Sequence, residues 1–589
     1  MSRRRVGTAV AVVAALLVSG CGGLSRTSTV EAGLEVGSGT PPDVRFTFPG
    51  PLEGASQEGI VRGFLRAGAA SAGAYDNARL FLMAAVSEKW NPDRSIVLLA
   101  DDAAPSATLL DPATVRVTAK AAGTVDAEGR YTAGRPGATV SATFRLTTVG
   151  GQWRVSELPE GFGRWVLRKD VTRLVQPYAV HYLSTSRRAL VQDIRWFPSD
   201  KLATRLARAQ LAGVPAYLKG AATSAVPDGA RLLGDAVSVN AGVATVNLIS
   251  SRLGPGEATR QSLWAQFVST LTQDDGVARV ALSVDGVPVA LAGLDGSAGT
   301  LAEVGFSPPP GAALAPPVVR RGNTVVGFDP ASTEQDPRQP TTPVTYPPVD
   351  GAFRHLAVSA DGTELATTDP EEGGVSRWKG ANRYEVPLEG TAVGAPSYDR
   401  RSWLWIGAVS TEGTEGPRLW VVDTRASPAD REGAGARAVA ASWLDGRRVL
   451  EARVAPDGDR VAVLSVGADG GGHRIDLAGV VRGGGGVPER LAPPLRLGAP
   501  ISRAVSLTWL DDRSLATLGV LDGKTLQPVV FTVGGDVRAL TPVRDAVAVT
   551  STGGERDLWV TTSAGRLFGR AGSQWVDNGA ANDLAVPGG

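Results

Sequence analysis

The first apolar run of the chain extends from Val6 to Val18 behind Arg3, Arg4 and Arg5, and gives way to Ser19-Gly20-Cys21-Gly22-Gly23. It is too short to span a bilayer, and a charged start, a short apolar core and small residues are the order of an export signal. Residues 1–20 therefore read as a signal peptide. From residue 21 to 43 large apolar side chains are scarce while Gly, Ser and Thr abound, which predicts a flexible tether. Helical spacing begins with Ile60, Val61, Phe64 and Leu65. Leu80, Phe81, Ala84 and Ala85 predict a second amphipathic helix that Trp90-Asn91-Pro92 stops.

Strict alternation then takes over at Ala113–Thr118, Ala138–Leu146 and Gln152–Ser156, with Gly, Asp and Glu between the runs. Helices leaning on a curved antiparallel sheet over residues 44–165 form an α+β cone, similar to the NTF2-like fold. Few polar groups occupy inward strand positions, so a packing or docking role is expected rather than catalysis.

Residues 166–294 form a second predicted domain. Val214-Pro215-Ala216-Tyr217-Leu218, a Pro-Asp-Gly turn at Pro227-Asp228-Gly229, and an alternating strand at Gly242–Leu248 precede a helix lined on one face by Leu263, Trp264, Phe267, Val268 and Leu271. A strand at Val277–Val284 then runs into a tight Asp285-Gly286 turn. In this order the motifs resemble the GerMN domain of spore-germination proteins, which implies a small α+β domain that binds envelope partners.

Residues 295–350 form a proline-rich link (Pro308-Pro309-Pro310, Pro316-Pro317, Pro330, Pro337, Pro340, Pro343, Pro347-Pro348), and proline is excluded from sheet interiors. Few contacts are expected to cross such a link, so the chain up to about residue 310 is expected to fold without the C-terminal region. Beyond the link the sequence repeats itself. Ala357-Val358-Ser359-Ala360-Asp361-Gly362 returns as Arg453-Val454-Ala455-Pro456-Asp457-Gly458, with looser copies at Ser397–Trp405, Ala441–Gly446 and Leu507–Ala516. Strand, polar turn and strand at a period of roughly 40 to 50 residues predict an all-β propeller of five or six blades over residues 311–589. Arg418–Val422 and Asp557–Val560 are expected in outer positions. The fold class is thus multidomain: α+β cone, α+β GerMN-like domain and propeller.

Charge narrows the function. Lys+Arg 60 against Asp+Glu 59 leaves no basic field for nucleic acid. Cys21 is the single cysteine, so no disulfide framework supports the domains.

No cofactor fingerprint, Walker loop or G-x-S-x-G elbow is present. His181, His355 and His473 lie far apart and lack partners at metal-ligand spacing. Ser376-Arg377-Trp378-Lys379 matches S-x-x-K without its companion motifs, and Asp457-Gly458-Asp459 is a turn rather than a calcium loop. The glycine runs at residues 470–472 and 483–486 read as surface loops.

Val18-Ser19-Gly20-Cys21 resembles a bacterial lipobox, with Val18 where leucine is commonest. The resemblance implies cleavage after Gly20, a diacylglyceryl group on the Cys21 sulfur and an N-acyl chain such as palmitoyl on its new amino terminus. The order of lipobox, tether, cone, GerMN-like domain, link and propeller resembles the LpqB lipoproteins of actinobacteria over essentially the whole chain. That resemblance implies a lipid-anchored protein on the extracytoplasmic face of the cell membrane, accessory to a sensor histidine kinase of MtrB type and its regulator MtrA. Cell-wall components are a second class of ligand. The expectation is a non-catalytic interaction protein; the alternative is an envelope enzyme such as a propeller hydrolase.

Acyl chains anchor at about 0.8 kcal/mol per buried methylene, and stable attachment takes more than one chain. Cys21→Ala is therefore expected to leave the membrane fraction or to persist as uncleaved precursor. A mature-sized Cys21→Ala protein that still sediments with membranes would defeat the anchoring assignment.

Overall fold

Residues 48–588, apart from 71–74, 103, 136, 186–188, 251–255, 307–313, 331–345, 412–415, 522 and 536, are described by a computed structural model. Helix α1 (Gln57–Gly68) starts at Ser56, whose hydroxyl accepts from the Gly59 amide at 3.2 Å and satisfies one of the amides a helix start leaves unpaired. Its Ile60, Val61, Phe64 and Leu65 are buried, and the Phe64 ring meets Trp90 edge-on at 5.1 Å.

The second expected helix is broken into α2 (Asp76–Arg79) and α3 (Ala84–Lys89). Between them the Phe81 carbonyl accepts from the Val155 amide and the Met83 amide donates to the Val155 carbonyl, so this stretch docks on a sheet edge. Burial of Phe81 and Leu82 there overrides the helical spacing.

The sheet comprises β1 (Ser95–Leu99), β2 (Ser106–Asp111), β3 (Thr114–Asp126), β4 (Tyr131–Ala133), β5 (Thr139–Val149), β6 (Gln152–Glu157) and β7 (Arg164–Leu167). Its order is β6-β5-β3-β1-β7, with β2 and β4 also paired to β3. Strand β7 runs parallel to β1 and straddles the division expected after Trp165. The short α4 (Val171–Leu174) leads onward.

Next come β8 (Gln176–Ser184), β9 (Leu190–Phe197), α5 (Leu202–Leu211), β10 (Ala222–Thr223), β11 (Arg231–Leu232), β12 (Ser238–Asn240), β13 (Val243–Ile249), α6 (Glu257–Leu271), β14 (Arg279–Val284) and β15 (Val287–Pro288). Strands β13 and β14 are parallel, joined through α6, and their buried Ala244, Val246, Leu248, Val280 and Leu282 share one core with Leu263, Trp264, Phe267, Val268 and Leu271. Asp285 and Gly286 adopt φ of 50° and 78°, the left-handed pair that a two-residue hairpin turn requires.

The interior here is partly polar, and its side chains answer the main chain. The Gln273 side chain accepts from the Ala179 amide at 2.8 Å and donates to the Ala179 carbonyl at 2.6 Å. Gln210 and Gln266 each donate to the His181 carbonyl at 2.9 Å, and Thr270 accepts from the His181 amide at 3.2 Å. These side chains stand in for a neighbouring strand along β8. Burial holds the His181 imidazole down to about 3 from an ordinary 6.5.

Among the described residues the remainder is a ring of six sheets, together with a two-stranded sheet of Gly390–Thr391 and Val409–Ser410. β16 (Val318–Arg321) and β17 (Thr324–Gly327), which lie within the expected proline-rich link, form one sheet with Asp583–Ala585 from the far end of the chain. Five further sheets begin with the inner strands Arg354–Val358, Ser397–Tyr398, Arg447–Val454, Arg503–Trp509 and Ala546–Ser551. Leu356, Arg453, Leu507, Val549 and Leu584 face an axial cavity of about 30 Å³. Two repeat assignments change: Ser442–Leu444 is a helical turn before its strand, and Leu558–Thr562 is a second strand rather than an outer one.

The second domain shares its core with the ring. Its core cluster continues into Ala462, Leu464, Ile475, Leu477, Leu515, Phe531 and Val533 of the propeller. At Gly479 an added Cβ would lie 2.6 Å from the Ala221 Cβ and 3.0 Å from the Tyr217 carbonyl. These contacts come from strands remote in sequence rather than from the link, and they weigh against the independent folding expected of the chain up to about residue 310.

Two outcomes are expected. Gly479→Val, and more severely truncation after residue 310, should lower or abolish the cooperative melting transition seen by calorimetry. His181 also sets a pH dependence. Its folded value lies below its unfolded one, so its contribution is complete above pH 6.5 and is lost as pH falls toward 3. Asp459, whose carboxyl burial raises from 3.8 to about 6, acts in the opposite sense within that window. His181→Asn should flatten the decline of melting temperature between pH 6.5 and 4; an unchanged slope would refute the assignment.

Candidate functional site at the domain junction

Strand β9 touches every domain. Its Trp196 amide donates to the Gly129 carbonyl at 2.7 Å, and its Trp196 ring lies 5.9 Å from Tyr131 of the first domain. Gly129, at φ 78°, has no room for a side chain: a Cβ would sit 2.7 Å from Phe197. Arg195, fully buried, bonds Asp193 at 2.5 Å and donates to the Glu128 carbonyl at 3.0 Å. On the propeller side the Trp196 indole donates to the Gly534 carbonyl at 2.5 Å. Gln192 receives Arg460 on its carbonyl at 3.2 Å and Arg513 on its side chain at 2.7 Å.

Arg460 is the keystone of this contact. It is 0% exposed, pairs with Asp457 at 2.6 Å, donates to the Asp512 carbonyl at 2.6 Å and lies 5.6 Å over the Trp509 ring. Tyr217 completes the group by donating to Asp193 at 3.0 Å, and burial lifts its phenol well above the usual range. A removed partner here would strand a buried charge, which typically costs about 3–5 kcal/mol.

The Asp-Gly repeats explain why Arg460 finds an acid in place. Asp457 accepts from the amides of Asp459 at 2.8 Å and Arg460 at 3.2 Å, closing its own turn, and Asp399 does the same for Arg401 at 2.8 Å and Trp403 at 2.9 Å. Their oxygens are spent on amides and arginines, as turn chemistry requires. Asp459 pairs with Arg401 at 2.9 Å. Among the described residues no three His, Cys, Asp or Glu side chains are placed to hold a metal ion.

The other candidate residues do not converge. Cys21 and the cleavage position after Gly20 lie outside the described residues. Ser376 is buried, donates to Asp369 at 2.6 Å and accepts from Arg383 at 3.0 Å. Ser376 and Lys379 share the strand Val375–Lys379, where residues three apart face opposite sides, so the two cannot act as nucleophile and base. His181 sits in the second domain, His355 contacts Thr368 at 3.3 Å in the propeller, and His473 lies in the loop before the propeller strand Arg474–Arg482, its carbonyl accepting from Arg496 at 3.0 Å. The junction itself is not evident in the sequence. Its one visible signal is the aspartate of the Asp-Gly repeat followed by Arg460, a basic residue at a position where buried strands begin.

Three families match the chain in order: "Lipoprotein LpqB, N-terminal domain" at residues 50–172, "Sporulation and spore germination" at residues 179–290, and "Lipoprotein LpqB beta-propeller domain" at residues 334–587. Lipoprotein LpqB of Thermobifida fusca (strain YX) is 26% identical over 90% of this chain and 90% of its own. Lipoprotein LpqB of Cutibacterium acnes (strain DSM 16379 / KPA171202) is 27% identical over 91% of this chain and 90% of its own. With the three families in this order and full-length relatives of one name, the chain belongs to the LpqB lipoprotein family.

Proposed function

We propose that this protein is a lipid-anchored, extracytoplasmic interaction protein, held to the cell membrane through Cys21, that binds the exported part of a sensor histidine kinase of MtrB type and biases two-component signalling. The observation that carries the reading is the continuous core between the second domain and the propeller, where Arg460 of the propeller donates to the Gln192 carbonyl of β9. A protein whose domains are fused in this way presents one fixed surface, which suits selective binding of one state of a partner. Such binding shifts a two-state equilibrium only by its difference in affinity for the two states. Tethering adds to this by raising the effective concentration at the membrane.

A non-catalytic role is supported by the use made of the reactive side chains. Ser376, His181 and the Asp-Gly aspartates are each consumed by structural hydrogen bonds. No substrate needs to be transformed for the partner to respond.

Crosslinking in intact cells, followed by identification of the captured protein, tests the partner. Phe267→Ala, a truncation at a fully buried position, should cost about 3–5 kcal/mol and abolish capture by unfolding the second domain. Ser376→Ala should cost about 1 kcal/mol and leave capture and kinase output unchanged. Lost signalling in a normally folded Ser376→Ala protein would favour the enzyme reading.

A further inference from the structure

A groove of about 660 Å³ opens in the first domain between α3 with the adjoining Trp90-Asn91 and the end of β6 with its loop. Its volume falls within the range of ligand sites. Val86, Leu158, Pro159 and Phe162 line it and are only partly buried, which makes an apolar floor left open. The floor is held firmly. Trp90 donates its indole N–H to the Gly163 carbonyl at 2.9 Å, and Arg79 stacks on Trp90 at 5.4 Å while donating to the Ser87 carbonyl.

Two cations, Lys89 and Arg94, stand on this groove, exposed and without an ion pair among the described residues. Of the carboxylates nearest these cations two are engaged, while Glu88 and Glu160 stand exposed at the margin of the groove. Asp93 is taken by Arg205 at 2.9 Å and Arg164 at 3.4 Å, and Glu157 by Arg145 at 3.3 Å. The groove is thus apolar below, and the charged side chains that line it are Lys89 and Arg94 against Glu157, whose carboxylate is met by Arg145.

The opposite wall is the end of an edge strand. β6 pairs with β5 only, and its outer side is met at Val155 by Phe81 and Met83. Beyond that point the chain Ser156–Pro159 forms the wall, and among the described residues the Leu158 amide has no protein acceptor. An extended chain laid beside an unpaired strand end gains main-chain hydrogen bonds, with pockets for alternate side chains.

We propose that this groove binds an extended acidic peptide segment of a partner protein. Apolar side chains at alternate positions fill the floor over Phe162 and Leu158, carboxylates meet Lys89 and Arg94, and a main-chain carbonyl accepts from the Leu158 amide. The assignment goes beyond the kinase reading and does not depend on it.

The test uses the full-length protein in detergent with a fluorescein-labelled, N-acetylated peptide of alternating Val and Glu. Saturable binding by anisotropy is expected, with protection of residues 152–160 in hydrogen exchange. Lys89→Glu combined with Arg94→Glu should weaken binding by about tenfold or more, as loss of charge complementarity does, whereas Lys89→Arg with Arg94→Lys should retain it. Both side chains are exposed, and an unchanged melting temperature verifies that the charge reversal leaves the fold intact. A peptide of alternating Val and Lys should not bind. The proposal fails if the reversed protein binds as well as the original, or if protection appears elsewhere. It also fails if vesicles containing phosphatidylglycerol protect residues 152–160 while the peptide does not.

Discussion

A guanidinium with no water around it must have its strong donors answered, and Arg460 is the place where this protein meets that requirement. The answer comes from three separate stretches of chain: its own turn at Asp457, the Asp512 carbonyl of the next propeller sheet, and the Gln192 carbonyl of β9. Because Gln192 belongs to a different domain, the charge is satisfied only when the domains are assembled. The apolar surface around it would close over many alternative arrangements, but the hydrogen-bond geometry of a buried ion admits far fewer. The position of the second domain on the ring is therefore fixed by this side chain together with the shared core.

The same logic operates inside the second domain at lower charge. Strand β8 lacks a full-length neighbour on one side, and an exposed edge would leave main-chain groups unpaired in a dry core. Gln210, Gln266 and Gln273 supply the missing partners from two helices and the turn after the second. Helix α6 is consequently buried nearly all round, with polar side chains on the face that an amphipathic helix would give to solvent. Its stability is bound to β8 as closely as to β13 and β14.

Local order was readable where one face of an element meets one core. Ile60, Val61, Phe64 and Leu65 announced α1, the alternation at Val243–Leu248 announced β13, and the repeated Asp-Gly turns announced the ring. What escaped was what depends on two distant segments at once. The break between α2 and α3 arises because Phe81 and Met83 bond to Val155, a residue whose proximity no local spacing reveals. The junction escaped for the same reason: Gln192 and Arg460 are ordinary polar residues until the fold brings them together. Of the residues the sequence singles out, Ser376 and the three histidines lie apart in the fold, while Cys21 lies outside the described residues.

The sheet that closes the ring joins Val318–Arg321, the first propeller strand, to Asp583–Ala585, among the last residues of the chain. This sets the order in which the molecule can mature. The ring cannot shut until Asp583–Ala585 is available, and pairings between such remote segments are slow because a long loop must be closed before any contact repays it. During that interval Tyr217, Ala221 and the β9 face wait for a surface that has not yet formed, leaving apolar groups open to association with other chains. The second domain is complete in sequence well before its core is complete in space, and the pairing of Asp583–Ala585 determines when it becomes so.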